Sequence, residues 1–456
     1  MSYLEKLTPI FHILPEVRIP KRHIPFKEKI SWSILILALY FLLGEIRIYG
    51  VTTTQQNFFG RLQVVLASEM GTLITLGIGP IVTAGIMMQL LQGAEMIDLD
   101  LTTSEGKKTF QGTQKLLAIV LCFFEATMFA FGGLFGRPPL NQTLFIALQM
   151  GIGGFLILMM DEVVTKWGFG SGISLFIAAG VSKDIIWKSL SPLRPDNPTE
   201  FIGAVVDFIH SVIVGVPQFT RPALPDILEL SFTLVVFFIV VYAESMRIEI
   251  PLSYGRFRGV RGRFPIRFIY ASNIPVILTV AVFQSTTVFG RLLTNRFHWD
   301  WLARFDPQSN LPSSGILYYI SSPGGLSNVR ADPVHASIYL IIMIASCIFW
   351  AYMWIEMTNM GPKAVAKRLQ QSGMQIPGFR RDIRIVEKVL SRYIPKVTIM
   401  GGAFIGLLAA FADFTNALGT GTGILLTVGI VYRMYEELMR EQVSEMFPAL
   451  RGFLEG

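Results

Sequence analysis

Charged side chains are scarce in this 456-residue chain: Asp, Glu, Lys and Arg make up 16% of it, hydrophobic residues 52%, and the mean hydropathy is +0.52. That balance excludes a water-soluble globule and points to a polytopic membrane protein. Cysteine is nearly absent. Cys122 and Cys347 both fall in apolar runs, with neither metal-ligand spacing nor a disulfide framework, and read as core residues. The five histidines, at positions 12, 23, 210, 298 and 335, are scattered. No GxxxxGKS/T, HExxH or GxSxG pattern occurs, and no aspartates are paired inside an apolar run. Neither catalysis nor a cofactor is expected. Residues 1–26 hold no apolar core before a small-residue cleavage site and are punctuated by Pro9, Pro15, Pro20 and Pro25, so no cleavable signal peptide is expected. Glu125 alone among ionisable residues sits near the middle of an apolar run; Glu45, Arg47, Asp161, Glu162, Glu244 and Glu356 sit at run ends. A proton- or sodium-coupled carrier ordinarily needs more.

The apolar runs themselves mark ten spans, near residues 30–48, 72–91, 116–135, 140–160, 171–187, 227–246, 268–290, 334–356, 397–413 and 418–435. The fifth, ninth and tenth are short or glycine-rich and suit the inside of a bundle. A further run at 201–216 carries Asp207 and His210 near its middle, and counting it as a span would put the six arginines from Arg247 to Arg267 on the side opposite the amino terminus. With ten spans and the amino terminus inside, 28 Lys and Arg fall inside and 11 outside, the asymmetry of the positive-inside rule. The 201–216 run is therefore expected to be an external amphipathic helix at the interface. Residues 58–68 form a second short external piece, which by itself reads as an ordinary interfacial helix.

This gives a cytosolic segment 1–29, a first half 30–190, an external loop 191–226, a second half 227–435 with cytosolic loops 247–267 and 357–396, and a cytosolic tail 436–456. GSGIS (170–174) and GTGIL (421–425) open the last span of each half, a weak internal symmetry of the kind transport proteins carry.

One stretch, residues 69–93 (EMGTLITLGIGPIVTAGIMMQLLQG), organises the rest. It is long enough for one crossing, yet holds Gly77, Gly79, Pro80 and Gly85, which a lipid-facing helix does not use. A helix buried among others is expected, with Ile78 and Val82 on one face and Thr72, Thr75, Thr83 and Gln89 supplying polar groups elsewhere. The run resembles the second transmembrane helix of the SecY family, the central subunit of the Sec protein-conducting channel. FKEKISW (26–32), FQGTQKLL (110–117), GSGISLFIAAG (170–180), YAESMRIEIPL (242–252), SNIPVIL (272–278), DPVHA (332–336), RYIPK (392–396) and GTGILL (421–426) follow in the family's order over almost the whole chain. Their wording is closer to archaeal and eukaryotic members than to bacterial ones.

The resemblance implies an all-α channel of ten transmembrane helices in two pseudo-symmetric halves, which passes unfolded polypeptides and releases apolar segments into lipid. It implies a pore ring of Ile78, Val82, Ile173, Ile177, Ile277 and Leu426, all of which would read as core residues otherwise. By position it makes 58–68 a plug, with Phe58, Phe59, Leu62, Val65 and Leu66. Thr83, Glu125 and Asn273 resemble the polar cluster of a lateral gate; plain interhelical glue is the competing reading. Arg256, Arg258, Arg261 and Arg263 in one loop, and Arg380, Arg381 and Arg384 in the other, become ribosome contacts, although the positive-inside rule alone also explains basic loops.

The implied partners are a SecE-like gamma subunit, a small beta subunit, a translating ribosome, signal sequences with their nascent chains, and lipid. The implied location is an archaeal plasma membrane, or alternatively an endoplasmic reticulum, with both termini cytosolic. A secondary transporter of small solutes is the competing function, and it would need a polar midplane; a membrane scaffold would leave the arginine loops and the plug-like insert unexplained.

Overall fold

The computed structural model describes residues 14–22, 24–51, 69–93, 96–97, 103–131, 135, 138–194, 200–221, 224–254, 261–271, 273–297, 299–305, 312–358, 360–371, 374–375, 383–419 and 421–446. In chain order these form α1 (Phe26–Glu45), α2 (Gly79–Gly93), α3 (Ser104–Phe131), α4 (Leu140–Trp167), α5 (Gly172–Leu190), α6 (Ala204–Val214) and α7 (Ile227–Ser245). A hairpin of β1 (Arg247–Tyr254) and β2 (Arg261–Arg267) leads to α8 (Ile274–Phe297), β3 (Arg304–Phe305), β4 (Pro312–Ser314), α9 (Ile316–Ile320) and α10 (Leu326–Ala331). Then come α11 (Pro333–Met357), α12 (Pro362–Gln371), β5 (Met374–Gln375), α13 (Ile383–Phe414) and α14 (Gly421–Met446). Every expected span overlaps a helix, and α3, α4, α7, α11 and α13 are long and apolar enough to cross a membrane on length and composition alone.

Two compact units divide the chain: Met1–Asp184 with Gln308–Asn310 and Ile430–Gly456, and Ile185–Pro307 with Leu311–Gly429. In the first, Gly151 and Gly154 of α4 lie against Phe123 and Cys122 of α3, so that a Cβ on Gly154 would stand 3.1 Å from the Cys122 sulfur. Such small residues let helix backbones approach where no hydrophobic driving force exists between helices. Tyr40 of α1 stacks on Phe176 of α5 with ring centroids 4.8 Å apart. In the second unit, Gly402 and Gly406 of α13 face the α11 backbone, and a Cβ on Gly406 would sit 2.9 Å from the Ile344 Cα. Tyr339, Met343 and Cys347 of α11 and Ile405, Leu408 and Ala409 of α13 close the core there. Both cysteines are fully buried thiols.

The structure corrects two expectations. The organising stretch is helical only from Gly79; residues 73–78 run as successive turns, with the N–H groups of Thr75, Gly77 and Gly79 bonding to carbonyls three residues back. The causes are Gly77, whose φ of +55° lies in the left-handed region, and Pro80, which suits the first turn of a helix. The helix that carries the glycine-rich ninth span also starts well before its apolar run. α13 runs 32 residues because its first turns are amphipathic, with Leu390, Ile394 and Val397 buried while Arg384, Lys388 and Arg392 are exposed. Mean hydropathy does not register such a segment.

In the 191–226 loop, α6 buries Ala204, Asp207 and Ser211 on one face and exposes Ile209, Val212 and Ile213 on the other. Arg221 holds the loop closed: its Nη1 donates to the Phe201 carbonyl at 2.7 Å and pairs with the buried Asp207 carboxylate at 3.2 Å.

The chain before α1 is strapped to Lys115 within α3 and to the last turns of α4. Lys166 Nζ donates to Glu16 Oε1 (2.8 Å), the Val17 carbonyl (2.6 Å) and Glu162 Oε1 (2.7 Å). Lys115 Nζ reaches the Pro15 carbonyl and Glu162 Oε2, and the Trp167 indole donates to the Arg18 carbonyl at 2.9 Å. The hydrogen bond from Lys166 holds the Glu16 carboxyl below its usual range. A depressed carboxylate contributes fully above its ordinary value near pH ~4.3 and loses that contribution as pH falls through the lowered folded value. Protection of the Trp167 indole N–H, expressed against its intrinsic exchange rate at each pH, is therefore expected to fall on acidification below about pH 4, and to fall severalfold at neutral pH in Lys166→Met. Exchange that ignores both changes shows that the strap is held by other contacts.

Candidate functional site

The six ring candidates all stand at helix starts. Ile78 closes the run of turns before α2, and its carbonyl accepts from the N–H groups of Ile81 (3.1 Å) and Val82 (3.0 Å). Ile78 is buried and Val82 half-buried. Next to Val82, Thr83 is hydrogen-bonded to the Glu125 carboxyl of α3, so these two gate candidates do meet. In α5 the Ile173 N–H donates to Asp161 Oδ1 of α4 at 2.8 Å. Asp161 thus does for α5 what an N-cap side chain does for its own helix. Gly172 is required there, because a Cβ would fall 2.6 Å from the Asp161 Cα. Ile173 is half-buried, and Ile177, one turn on, is buried.

Asn273, Ile277 and Leu426 belong to the second unit. Asn273 occupies the N-cap position of α8, with its carbonyl accepting from Val276 (3.2 Å) and Ile277 (3.3 Å). Its side chain turns to α14: Nδ2 donates to the Leu425 carbonyl at 3.0 Å. Gly429, one turn beyond Leu425, makes room, since a Cβ there would collide with the Asn273 amide and stand 2.9 Å from Glu244 Oε1 of α7. Asn273 Oδ1 is buried and has no hydrogen-bond partner among the described residues. Leu426 is buried and Ile277 half-buried.

The two basic loops join through their backbones. β1 pairs antiparallel with β2 from Arg247 opposite Arg267 to Ser253 opposite Arg261, and β5 of the other loop adds Gln375 opposite Ser253 and Met374 opposite Tyr254. The sheet order is β2-β1-β5. Beneath it, Ile266 packs with Val365, Ala366 and Leu369 of α12 and with Leu390 and Ile394 of α13. Arg263 stands opposite Pro251 in the ladder, and Arg384 is exposed on the first turn of α13. Arg256, Arg258, Arg380 and Arg381 lie outside the described residues, as do Phe58, Phe59, Leu62, Val65 and Leu66. Sequence reasoning missed the basic face of α12, where Lys363, Lys367 and Arg368 are exposed opposite Val365, Ala366 and Leu369. The signal was present in PKAVAKRLQQ as lysines four apart with apolar residues between them.

Apolar glycine-packed helices define the class, a multi-pass α-helical membrane protein. The SecY family profile matches residues 72–435, and the plug domain of Sec61p matches residues 39–71. The chain is 47% identical over 458 residues to the protein translocase subunit SecY of Pyrococcus horikoshii, covering 97% of both chains. It also resembles the solved structure of a protein-conducting channel, with a TM-score of 0.83 and 46% identity over 97% of this chain and 99% of that one. Sec61 in the canine ribosome-channel complex from the endoplasmic reticulum is similar too, with a TM-score of 0.80 and 46% identity over the same shares. The chain belongs to the SecY family.

Asp161→Ala removes the acceptor at the start of α5 and is expected to lower stability by about 1 kcal/mol. Thermal unfolding in detergent measures it. An unchanged unfolding temperature shows that the Ile173 N–H is satisfied without Asp161.

Proposed function

We infer that this chain is the protein-conducting subunit of a translocation channel, a non-catalytic membrane protein that passes unfolded polypeptides across the bilayer and releases apolar segments into it. The observation that carries the reading is the near-full-length match, in sequence and fold, to a solved protein-conducting channel. In this reading Ile78, Val82, Ile173, Ile177, Ile277 and Leu426 line a ring that excludes water by dewetting and parts around any extended chain. Their aliphatic character supports it, and a small-solute transporter would instead need polar groups there. Phe58, Phe59, Leu62, Val65 and Leu66 belong to the plug. The hydrogen bond between Thr83 and Glu125, with Asn273 of α8, supports a lateral gate held by polar contacts of ~1 kcal/mol each.

All ten long helices cross the membrane in this reading, with both termini cytosolic, and the 47% and 48% identity to two Pyrococcus relatives supports an archaeal plasma membrane. The ribosome docks on the sheet that joins the two basic loops, through Arg256, Arg258, Arg261, Arg263, Arg380, Arg381 and Arg384, and on the adjoining face of α12. The canine channel complex with a ribosome supports this assignment. A SecE-like gamma subunit and a small beta subunit complete the complex.

A photocrosslinker at Val82 is expected to capture the nascent chain in membranes carrying ribosomes stalled on a secretory protein, and not when the signal sequence is deleted. Capture of neither, with solute uptake intact, overturns the channel reading. Serine at Ile78, Val82, Ile173 and Ile177 is expected to raise the resting ion conductance in planar bilayers; unchanged conductance removes the ring. Arg256→Glu with Arg380→Glu is expected to weaken ribosome binding and to flatten its salt dependence, by about 0.7 to 0.9 in log–log slope for each lost phosphate contact. A slope equal to that of the unmodified channel would falsify the RNA contact.

A further inference from the structure

The residues flanking 52–68 meet in a closed neck. Ile48 N–H donates to the Gly71 carbonyl at 2.9 Å, Leu73 N–H donates to the Ile46 carbonyl at 3.0 Å, and Arg47 bridges Thr72 in an antiparallel pair. Below the neck, Ile48 is buried with Leu76, Ile146 and Met150. Each strand of the neck is then fastened sideways to a different helix of the first unit. On the entering strand, Tyr49 N–H donates to Gln149 Oε1 (3.0 Å), and Gln149 Nε2 returns a bond to the Tyr49 carbonyl (3.1 Å). Gln142 Nε2 donates to the Gly50 carbonyl at 2.9 Å, and Gly50 turns there at φ +95°. These two glutamines are seven residues apart on α4 and so share a face.

On the returning strand, Glu69 is gripped by Lys183 of α5, whose Nζ lies 2.5 Å from Glu69 Oε1, 3.5 Å from Glu45 Oε1 and 5.7 Å from the Phe41 ring centroid. The Glu69 backbone carbonyl also accepts from the Thr72 and Thr75 hydroxyls, at 2.6 and 3.2 Å. Gly44 of α1 leaves space for the Glu69 carboxylate, since a Cβ there would stand 3.1 Å from Glu69 Oε2. These contacts set the Lys183 ammonium between the end of α1 and the returning strand. In α5 it lies eleven residues beyond Gly172, about 17 Å along the helix.

We propose that Lys183 is a positioning residue for the plug domain: together with the Gln142 and Gln149 amides it fixes the neck, so that the intervening residues leave from and return to fixed points. This rests on reading 58–68 as the plug. The neck contacts themselves, all among described residues, stand apart from it. Lys183 touches no translocating chain in this account and acts only through Glu69.

The test compares Lys183→Met, Lys183→Arg and a deletion of residues 58–68 in the purified channel complex, by resting conductance in planar bilayers and by amide exchange. Lys183→Met is expected to raise both the resting conductance and the exchange of the Ile48 and Leu73 amides by about threefold, the population shift that one half-exposed ion pair can hold. Lys183→Arg is expected to restore both, because its guanidinium can still pair with Glu69. A purely structural role in α5 would instead speed exchange along α5 and leave the neck amides alone, which overturns the proposal. If the deletion raises conductance and Lys183→Met does not, the anchor is wrong while the plug reading survives. If the deletion changes nothing, the plug reading fails, and exchange at Ile48 and Leu73 still decides whether Lys183 holds the neck.

Discussion

A backbone N–H or C=O without a partner costs several kcal/mol in hydrocarbon, so a chain that starts helices inside apolar stretches must supply a substitute for the missing turn at each start. That requirement explains much of the described structure. The start of α2 is supplied by a run of tight turns ending in the Ile78 carbonyl, that of α5 by the Asp161 carboxylate reaching across from α4, and that of α8 by Asn273. Gly77 is there for its left-handed φ, and Gly172 and Gly429 because a neighbouring polar residue stands too close for a side chain; the glycine-broken appearance of the sequence follows from them.

Close approach has a second effect. Gly153 of α4 faces the Leu73 carbonyl, where any Cβ would collide, so the turns before α2 rest directly on the α4 backbone. The residues that open α2 are thereby tied to α1 through the Ile46 and Leu73 pairing and to α4 through Gly153. In the second unit, Gly401 of α13 lies against the Phe268 carbonyl and Gly402 against the Cys347 carbonyl. Packing of this density has few intermediate arrangements, which favours discrete states over gradual deformation.

Hydropathy made the spans legible, and motif order made the family legible. Where helices begin was less so. Residues 73–78 are as apolar as the helix that follows, and a hydropathy average cannot distinguish turns from helix; the information lay in Gly77, Gly79 and Pro80 read as a helix start. The extensions of α3, α13 and α14 beyond their apolar runs are amphipathic, and averaging cancels a pattern of that kind. The pairing of β5 with β1 joins loops more than 100 residues apart and has no local signature. The roles of the six aliphatic candidates came from the resemblance, because a pore-lining isoleucine and a core isoleucine carry the same chemistry.

The aliphatic candidates stand directly beside the polar ones along the chain. Val82 is followed directly by Thr83, whose hydroxyl meets Glu125. Ile277 stands one turn beyond Asn273 and donates its own N–H to the Asn273 carbonyl, while Leu426 follows the residue whose carbonyl accepts the Asn273 amide. One hydrogen bond, from Asn273 Nδ2 to the Leu425 carbonyl, therefore ties the start of α8 to α14 beside Leu426. A displacement of the start of α8 that breaks this bond moves Ile277 with it, since the Ile277 N–H is bonded to the Asn273 carbonyl. The polar contact to α14 and the placing of Ile277 on α8 are thus mechanically linked in the second unit.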